Sequence, residues 1–150
     1  MNKVKFTVFL VDDSEEDRFF MKKMLERNSN LVLLGEARDG QEAMDYLSQA
    51  AKEHALPNLM ILDLKMPRKN GYDVLTWIKD QDIQNLLVAV ISGSCLEEDI
   101  TRSLSLGAHV YFKKTSIRDE QDAILKNLTG LLEKAFPSLE YTSNAPKLAD

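Results

Sequence analysis

Val8-Phe9-Leu10-Val11-Asp12-Asp13 is the stretch that decides the fold: an unbroken apolar run that ends abruptly on two carboxylates. A run of this kind reads as a strand covered on both faces of a sheet. The signature recurs, with Leu59-Met60-Ile61-Leu62 meeting Asp63, Leu87-Val88-Ala89-Val90-Ile91 meeting Ser92, and Val110-Tyr111-Phe112 meeting Lys113-Lys114. In an open parallel sheet the carboxyl ends of the strands line one edge, and ligands bind there. Three carboxylates, a hydroxyl and an ammonium are therefore expected to converge. Two carboxylates about 4 Å apart repel by roughly 4 kcal/mol at an effective dielectric of about 20, so such a cluster calls for a cation. Mg2+ suits it, because this hard ion takes one or two carboxylates and keeps positions open for water and a substrate phosphate. Asp also favours turns and helix starts. Three of them, each directly after a buried strand, fit a shared site better than three unrelated turns.

Working outward, strand-like runs alternate with helical patterns, which predicts βα units around a parallel sheet. Ser14-Glu15-Glu16-Asp17 has the form of a capping box opening a first helix, whose stripe is Phe20, Met21, Met24 and Leu25. Leu31 to Leu34 reads as a second strand, and Ala43, Met44, Leu47 and Ala51 mark a second helix after Asp39-Gly40. The loop from Leu64 to Gly71 leads into a short third helix with Val74, Leu75 and Ile78. A second capping box, Ser94-Cys95-Leu96-Glu97, is expected to open a fourth helix carrying Ile100 and Leu104, with Gly107 ending it. Strand five is placed over His109 to Phe112. A last helix carries Ile124, Leu125, Leu128, Leu131, Leu132 and Ala135 and stops before Pro137. The expected division is one domain over 1–136 and a polar tail over 137–150.

Composition narrows the function. A chain of 150 residues with 44% apolar content is enough for one core. A net charge of -5, with scattered lysines and arginines, gives no footprint for nucleic acid. No apolar run approaches the length of a membrane span, and the N-terminal apolar stretch is too short for a secretory signal. The lone Cys95 fits a reducing compartment. The expectation is a cytoplasmic protein with no nucleic acid or membrane partner. His54 and His109 read as ordinary hydrogen-bonded or solvated residues, Trp77 as a packed or partly exposed residue of the third helix, and Glu15-Glu16-Asp17 as acids suited to a helix N-terminus.

The ordered set of motifs resembles a response-regulator receiver domain, the phosphoacceptor half of two-component signalling, over residues 5 to 135. It comprises the acidic pair after strand one, Asp63 followed by Met66-Pro67 and Gly71, Ser92-Gly93 after strand four, and Gly107-Ala108 with Tyr111 and Lys114 around strand five. The resemblance implies a doubly wound, flavodoxin-like (βα)5 sandwich of α/β class with parallel strand order 2-1-3-4-5. It also implies that Asp63 takes a phosphoryl group from a sensor histidine kinase or histidine phosphotransfer protein, with Mg2+ held by Asp13, Asp63 and the backbone carbonyl of Lys65, and by Asp12 through water. Lys114 is then the lysine that pairs with the phosphoryl oxygens, Ser92 the hydroxyl that bonds them, and Tyr111 the aromatic switch. Phosphoryl transfer agrees with this set on chemical grounds, since it depends on in-line positioning and neutralisation of charge on the equatorial oxygens.

Because no output module is expected, the signal would leave through a downstream protein target. The run from Val11 to Arg18 and the extended C-terminus resemble the stand-alone receivers that pair with phytochrome-like kinases, as a monomer or homodimer. Thr115 departs from the family, which usually has proline there, and so keeps an unphosphorylated adaptor as the alternative. Lys65, two positions after Asp63, stands where a phosphatase of the haloacid-dehalogenase type needs a second Asp, which weighs against a classical enzyme. The acidic turn after strand one likewise disfavours a flavodoxin, which wants a Ser/Thr/Gly-rich phosphate loop there. Lying over a phosphoryl group, Lys65 is expected to hinder the attacking water.

Overall fold

Phe6–Val11 (β1), Leu59–Leu62 (β3) and Leu87–Ser92 (β4) are buried at nearly every position, as strands covered on both faces must be. Leu31–Ala37 (β2) and Val110–Lys113 (β5) flank them, and all pairings are parallel in the order β2-β1-β3-β4-β5. This computed structural model describes residues 5–137, so the tail expected over 137–150 lies outside the described residues apart from Pro137. Five helices connect the strands: Glu15–Glu26 (α1), Gly40–Lys52 (α2), Gly71–Asp80 (α3), Glu97–Ser105 (α4) and Arg118–Ala135 (α5). The expected α/β doubly wound sandwich is the observed one. No helix among the described residues is long and apolar enough to cross a membrane.

Alternation along each strand sends side chains to two separate cores. On one face Phe6, Val8, Leu10, Ile61 and Ile91 meet Met21, Met24 and Leu25 of α1 and Ile124, Leu125, Leu128 and Leu132 of α5. On the other, Phe9, Val11, Met60, Leu62 and Val90 meet Ala43, Met44 and Leu47 of α2 and Tyr72, Val74 and Leu75 of α3. The sheet is thus fixed from both sides, which holds its carboxyl edge rigid.

Several local expectations change. β2 runs on to Ala37, because the pairing with β1 skips Leu34 and resumes at Gly35. Gly35 was not expected in a strand. A side chain there would begin 3.0 Å from the Tyr46 ring, which stacks on Phe9 at 4.1 Å. β5 begins and ends one residue later than expected. In α1 the buried stripe is Met21, Met24 and Leu25, whereas Phe20 is 56% exposed and packs edge-on against the exposed Phe19. In α2 Ala50, not Ala51, faces the core. Ser14 does cap α1, accepting from the Asp17 N–H at 3.1 Å, but the box is not reciprocal. The Asp17 carboxylate turns instead to Lys114.

α4 departs most. It starts at Glu97 without a side-chain cap, so Cys95 lies before the helix and Ser94 caps nothing. Leu104 is exposed, and the buried residues of the helix are Asp99 and Ser103. The true capping box, Asn70 with Asp73, opens α3.

Candidate functional site

β1 and β3 end level with one another, Val11 beside Leu62, so the residues that follow them emerge side by side. Backbone bonds continue past the strands: Asp12 N–H donates to the Ala37 carbonyl at 3.1 Å and Asp63 N–H to the Val11 carbonyl at 3.0 Å. The two carboxylates are thereby set at the sheet edge while remaining almost wholly buried. Asp13, the next residue, is exposed. One oxygen from each of Asp12, Asp13 and Asp63 lies within 4.8 Å of the others. From the far side, Lys114 N–H donates to the Ser92 carbonyl at 2.8 Å and so places its own side chain against β4's end. Its Nζ lies 2.8 Å from Asp12 Oδ2, 2.8 Å from Asp17 Oδ2 and 3.3 Å from Asp63 Oδ2. Lys113 is exposed.

The electrostatics follow from this crowding. Burial pushes the Asp63 carboxyl up to about 6; the Lys114 charge opposes the rise and the Asp12 charge adds to it. Burial pulls Lys114 down, yet its hydrogen bonds to Asp12 and Asp17 and the charge of Asp63 outweigh that and hold the ammonium above its ordinary value. One ammonium thus serves three carboxylates. A fourth, Asp13, faces the same space with solvent beside it. Hard, clustered carboxylate oxygens in part solvated are the donor set that Mg2+ or Mn2+ takes.

The loop after Asp63 is pinned at both ends. Asp63 Oδ1 accepts from the Leu64 N–H at 2.9 Å, and Gly71 N–H donates to the Leu64 carbonyl at 2.9 Å. Only glycine permits that closure, since a Cβ at Gly71 would stand 2.5 Å from the Asp63 carbonyl oxygen. The N-terminus of α2 clamps the middle: Gly40 N–H donates to Lys69 O at 2.7 Å, and Asp39 pairs with Arg68 at 3.0 Å.

Across the pocket Ser92 is fully buried at the end of β4, and its Oγ accepts from the Ser94 N–H at 3.3 Å. Gly93 has no atom within 4 Å of where a Cβ would sit, so the approach beside Ser92 is open. Tyr111 is half-buried, and its hydroxyl donates to the Ser94 carbonyl at 2.7 Å. The Lys114–Thr115 link is trans, since the described residues contain no cis peptide bond. Thr115 ties the β5–α5 loop to Glu120 and Gln121. His109 Nδ1 accepts from the Val88 N–H, a structural role, and Cys95 is exposed.

Four further residues take part in ways that the local sequence does not signal. Asp17 reads as an N-terminal acid of α1, but one turn of helix after Asp13 returns its side chain to the sheet edge, where it meets Lys114. Arg18 donates to the Asp12 carbonyl at 2.8 Å and pairs with Glu36 at 3.1 Å, bracing the acidic turn. Tyr72 and Asp99 join α3 to α4 by a hydrogen bond between buried side chains. A helix-period scan finds α4's apolar residues and so misses a buried face built from polar ones.

Residues 8–128 match the family model described as the response regulator receiver domain. Response regulator Rcp1 of Synechocystis sp. is 33% identical over 114 residues, covering 72% of this chain and 76% of Rcp1. VraR of Staphylococcus aureus is 32% identical over 125 residues, and the match spans 56% of its length. Among solved structures, the phosphorylated cyanobacterial phytochrome response regulator RcpA superposes with a TM-score of 0.70 at 30% identity, over 86% of this chain and 94% of that one. The Mn2+-bound form of Rcp1 superposes at 0.65 with 28% identity, over 97% and 99% of the two chains. The chain therefore belongs to the response-regulator receiver family, the signalling module of two-component systems rather than a classical enzyme.

Proposed function

We propose that this protein is a phosphoacceptor in His-Asp signalling in which Asp63 receives the phosphoryl group, with residues 1–136 as the receiver unit. The observation that carries this is the position of Asp63: a nearly buried carboxylate 3.3 Å from the Lys114 ammonium and within 4.8 Å of the Asp12 and Asp13 oxygens. An ionised Asp63 oxygen attacks phosphorus, the new O–P bond forming as the P–N bond of a phosphohistidine breaks and the departing imidazole takes up a proton. Asp12, Asp13 and Asp63 would hold Mg2+, with the Lys65 backbone carbonyl as a further ligand. When bound, the ion supplies positive charge to the phosphoryl oxygens and orients them for in-line transfer.

Lys114 is already at the pocket and neutralises the oxygens on its side. Ser92 accepts from Ser94, and a hydroxyl acting as acceptor keeps its proton for a phosphoryl oxygen. A local charge event of this kind is read out by repacking of the face made by α4, β5 and α5, Tyr111 included. The donor would be a sensor histidine kinase or a histidine phosphotransfer protein. The likeness to Rcp1 and to RcpA, a phytochrome response regulator, favours a phytochrome-type kinase.

Acetyl phosphate with Mg2+ and intact-mass detection tests the assignment. The wild-type protein is expected to gain one phosphoryl group that hydroxylamine removes, and Asp63→Asn none. A wild type that stays unmodified would leave the unphosphorylated adaptor role in its place, and a variant modified equally would show that another residue takes the phosphoryl group.

A further inference from the structure

α4 is held to its neighbours in an unusual way. Its buried residues are Asp99 and Ser103, while Leu96 and Leu104 are 56% and 41% exposed. Ser103 bonds within its own helix, to the Ile100 carbonyl. Asp99 is therefore the buried side chain by which α4 grips other elements. One of its oxygens accepts from the Tyr72 hydroxyl of α3, and the other from Ser94 Oγ at 2.6 Å. The Arg102 guanidinium, one turn further along α4, lies 3.9 Å over the Tyr72 ring and closes the same contact from above.

Ser94 uses every polar group it has. Its N–H goes to Ser92 Oγ, its carbonyl accepts from Tyr111, its hydroxyl donates to Asp99 and accepts from the Leu96 N–H at 3.2 Å. The phosphoryl-facing hydroxyl and the aromatic switch thus meet at one residue. What fixes that residue is the carboxylate of Asp99, itself tied to α3. The bonds from Ser94 and Tyr72 hold the Asp99 carboxyl below the usual range, aided by the charges of Lys65 and Arg102, so it remains an acceptor for both hydroxyls at neutral pH.

Resting on the phosphoacceptor role proposed above, we propose that Asp99 is a positioning residue that acts through Ser94. It places the β4–α4 loop, and with it Ser92 and the carbonyl that receives Tyr111, beside the acid pocket before the phosphoryl group arrives. Anchoring through a carboxylate rather than apolar packing makes the arrangement separable. The acid pocket stands on β1, β3 and β5, while the loop stands on Asp99. Loss of Asp99 should therefore leave the metal site intact and reduce the fraction of molecules ready for the phosphoryl group. If that fraction falls to about a tenth, apparent affinity falls about tenfold.

The test uses the full chain and two probes, Mg2+ alone and beryllofluoride in saturating Mg2+, the latter followed by 19F NMR. Asp99→Ala and Ser94→Ala are each expected to weaken beryllofluoride binding about tenfold with Mg2+ affinity unchanged. The double variant should be no weaker than either single one, because both remove the same link. Tyr72→Phe keeps the ring and removes one anchor of Asp99, and should fall between. Beryllofluoride affinity within twofold of wild type in Asp99→Ala would overturn the proposal. So would a parallel loss of Mg2+ and beryllofluoride binding, which marks general loosening, or additive losses in the double variant. If wild type bound neither probe, the phosphoacceptor role would fail and take this proposal with it; wild-type binding matched by the variants defeats the positioning role alone.

Discussion

Replacing Asp63 with Asn should make the metal-free protein more stable at neutral pH. Burial lifts the folded-state pKa of Asp63 from the ordinary 3.8 to about 6. Between those values the folded state keeps a proton that the unfolded chain has released, so stability falls as pH rises from about 4 to about 6. At pH 7 the group has discharged that whole difference, which corresponds to about 3 kcal/mol. The amide of Asn occupies the same volume, carries no charge and still offers an oxygen to the Leu64 N–H. Lys114 keeps Asp12 and Asp17 as partners. A gain of about 3 kcal/mol in a chain of this size raises Tm by roughly 6–12 °C.

Thermal unfolding followed by circular dichroism, with chelator present, measures this directly. The quantity to follow is Tm of Asp63→Asn minus Tm of wild type, because the other carboxylates titrate in both proteins and cancel. It should be near zero at pH 4 and reach its full size by pH 7. Mg2+ should then close the gap from the wild-type side: at one hundred times its Kd a ligand adds about 2.7 kcal/mol, and the variant lacks one of the ligands. A variant no more stable than wild type at pH 7 would refute the claim that Asp63 is held ionised at a cost. A gap of constant size from pH 4 to pH 7 would refute its electrostatic origin.

Gly71→Ala should lower stability by at least 1–3 kcal/mol in urea unfolding, because its Cβ meets backbone, the Asp63 carbonyl at 2.5 Å, and backbone cannot rotate away. Lys114→Met should destabilise the chelated protein by on the order of 3 kcal/mol, leaving buried Asp12 and Asp63 without their cation; added Mg2+ should recover part of the loss, and equal Tm values with and without Mg2+ would count against a shared site. Lys65→Ala should speed loss of the phosphoryl group once formed, as measured by the decay of the phosphorylated mass after acetyl phosphate is removed; an unchanged decay rate would show that Lys65 does not hinder water.

The strand ends carried the fold and most of the pocket. Val8 to Asp13 and Leu59 to Asp63 are legible because burial on both faces forces an apolar run, and a carboxylate directly after it has few places to go but the sheet edge. Asp12, Asp13 and Asp63 could therefore be brought together from their places after the strands, with Lys113 or Lys114 facing them; the resemblance to receiver domains selects Lys114. The helices were less transparent where their contacts are polar. Asp17 looks like a helix-start acid whether it faces water or Lys114. α4 defeats periodicity altogether: Ile100 and Leu104 suggest a stripe, whereas the inward residues are Asp99 and Ser103, whose partners lie on another helix and in a loop. Such long-range polar pairing leaves no mark on local sequence. The same holds for Gly35, whose reason is the Tyr46 ring eleven residues on.

This division between apolar and polar anchoring has a mechanical consequence. α1, α2, α3 and α5 each bury several aliphatic or aromatic side chains in one of the two cores, so displacing any of them would expose a large apolar area. α4 buries none. It packs against β5 without burying an apolar side chain, and its side-chain bonds to other elements are those of Asp99 to Tyr72 and Ser94, together with the Arg102 guanidinium over the Tyr72 ring. Hydrogen bonds can be exchanged for bonds to water at little net cost, about 1 kcal/mol each, whereas apolar area cannot be re-solvated so cheaply. Of the five helices, α4 is thus the one whose position can be reset by a change as small as a new charge beside Ser92. It also starts five residues beyond that hydroxyl, with Ser94 between them, so a reset at the pocket would reach the α4 surface through that one short loop.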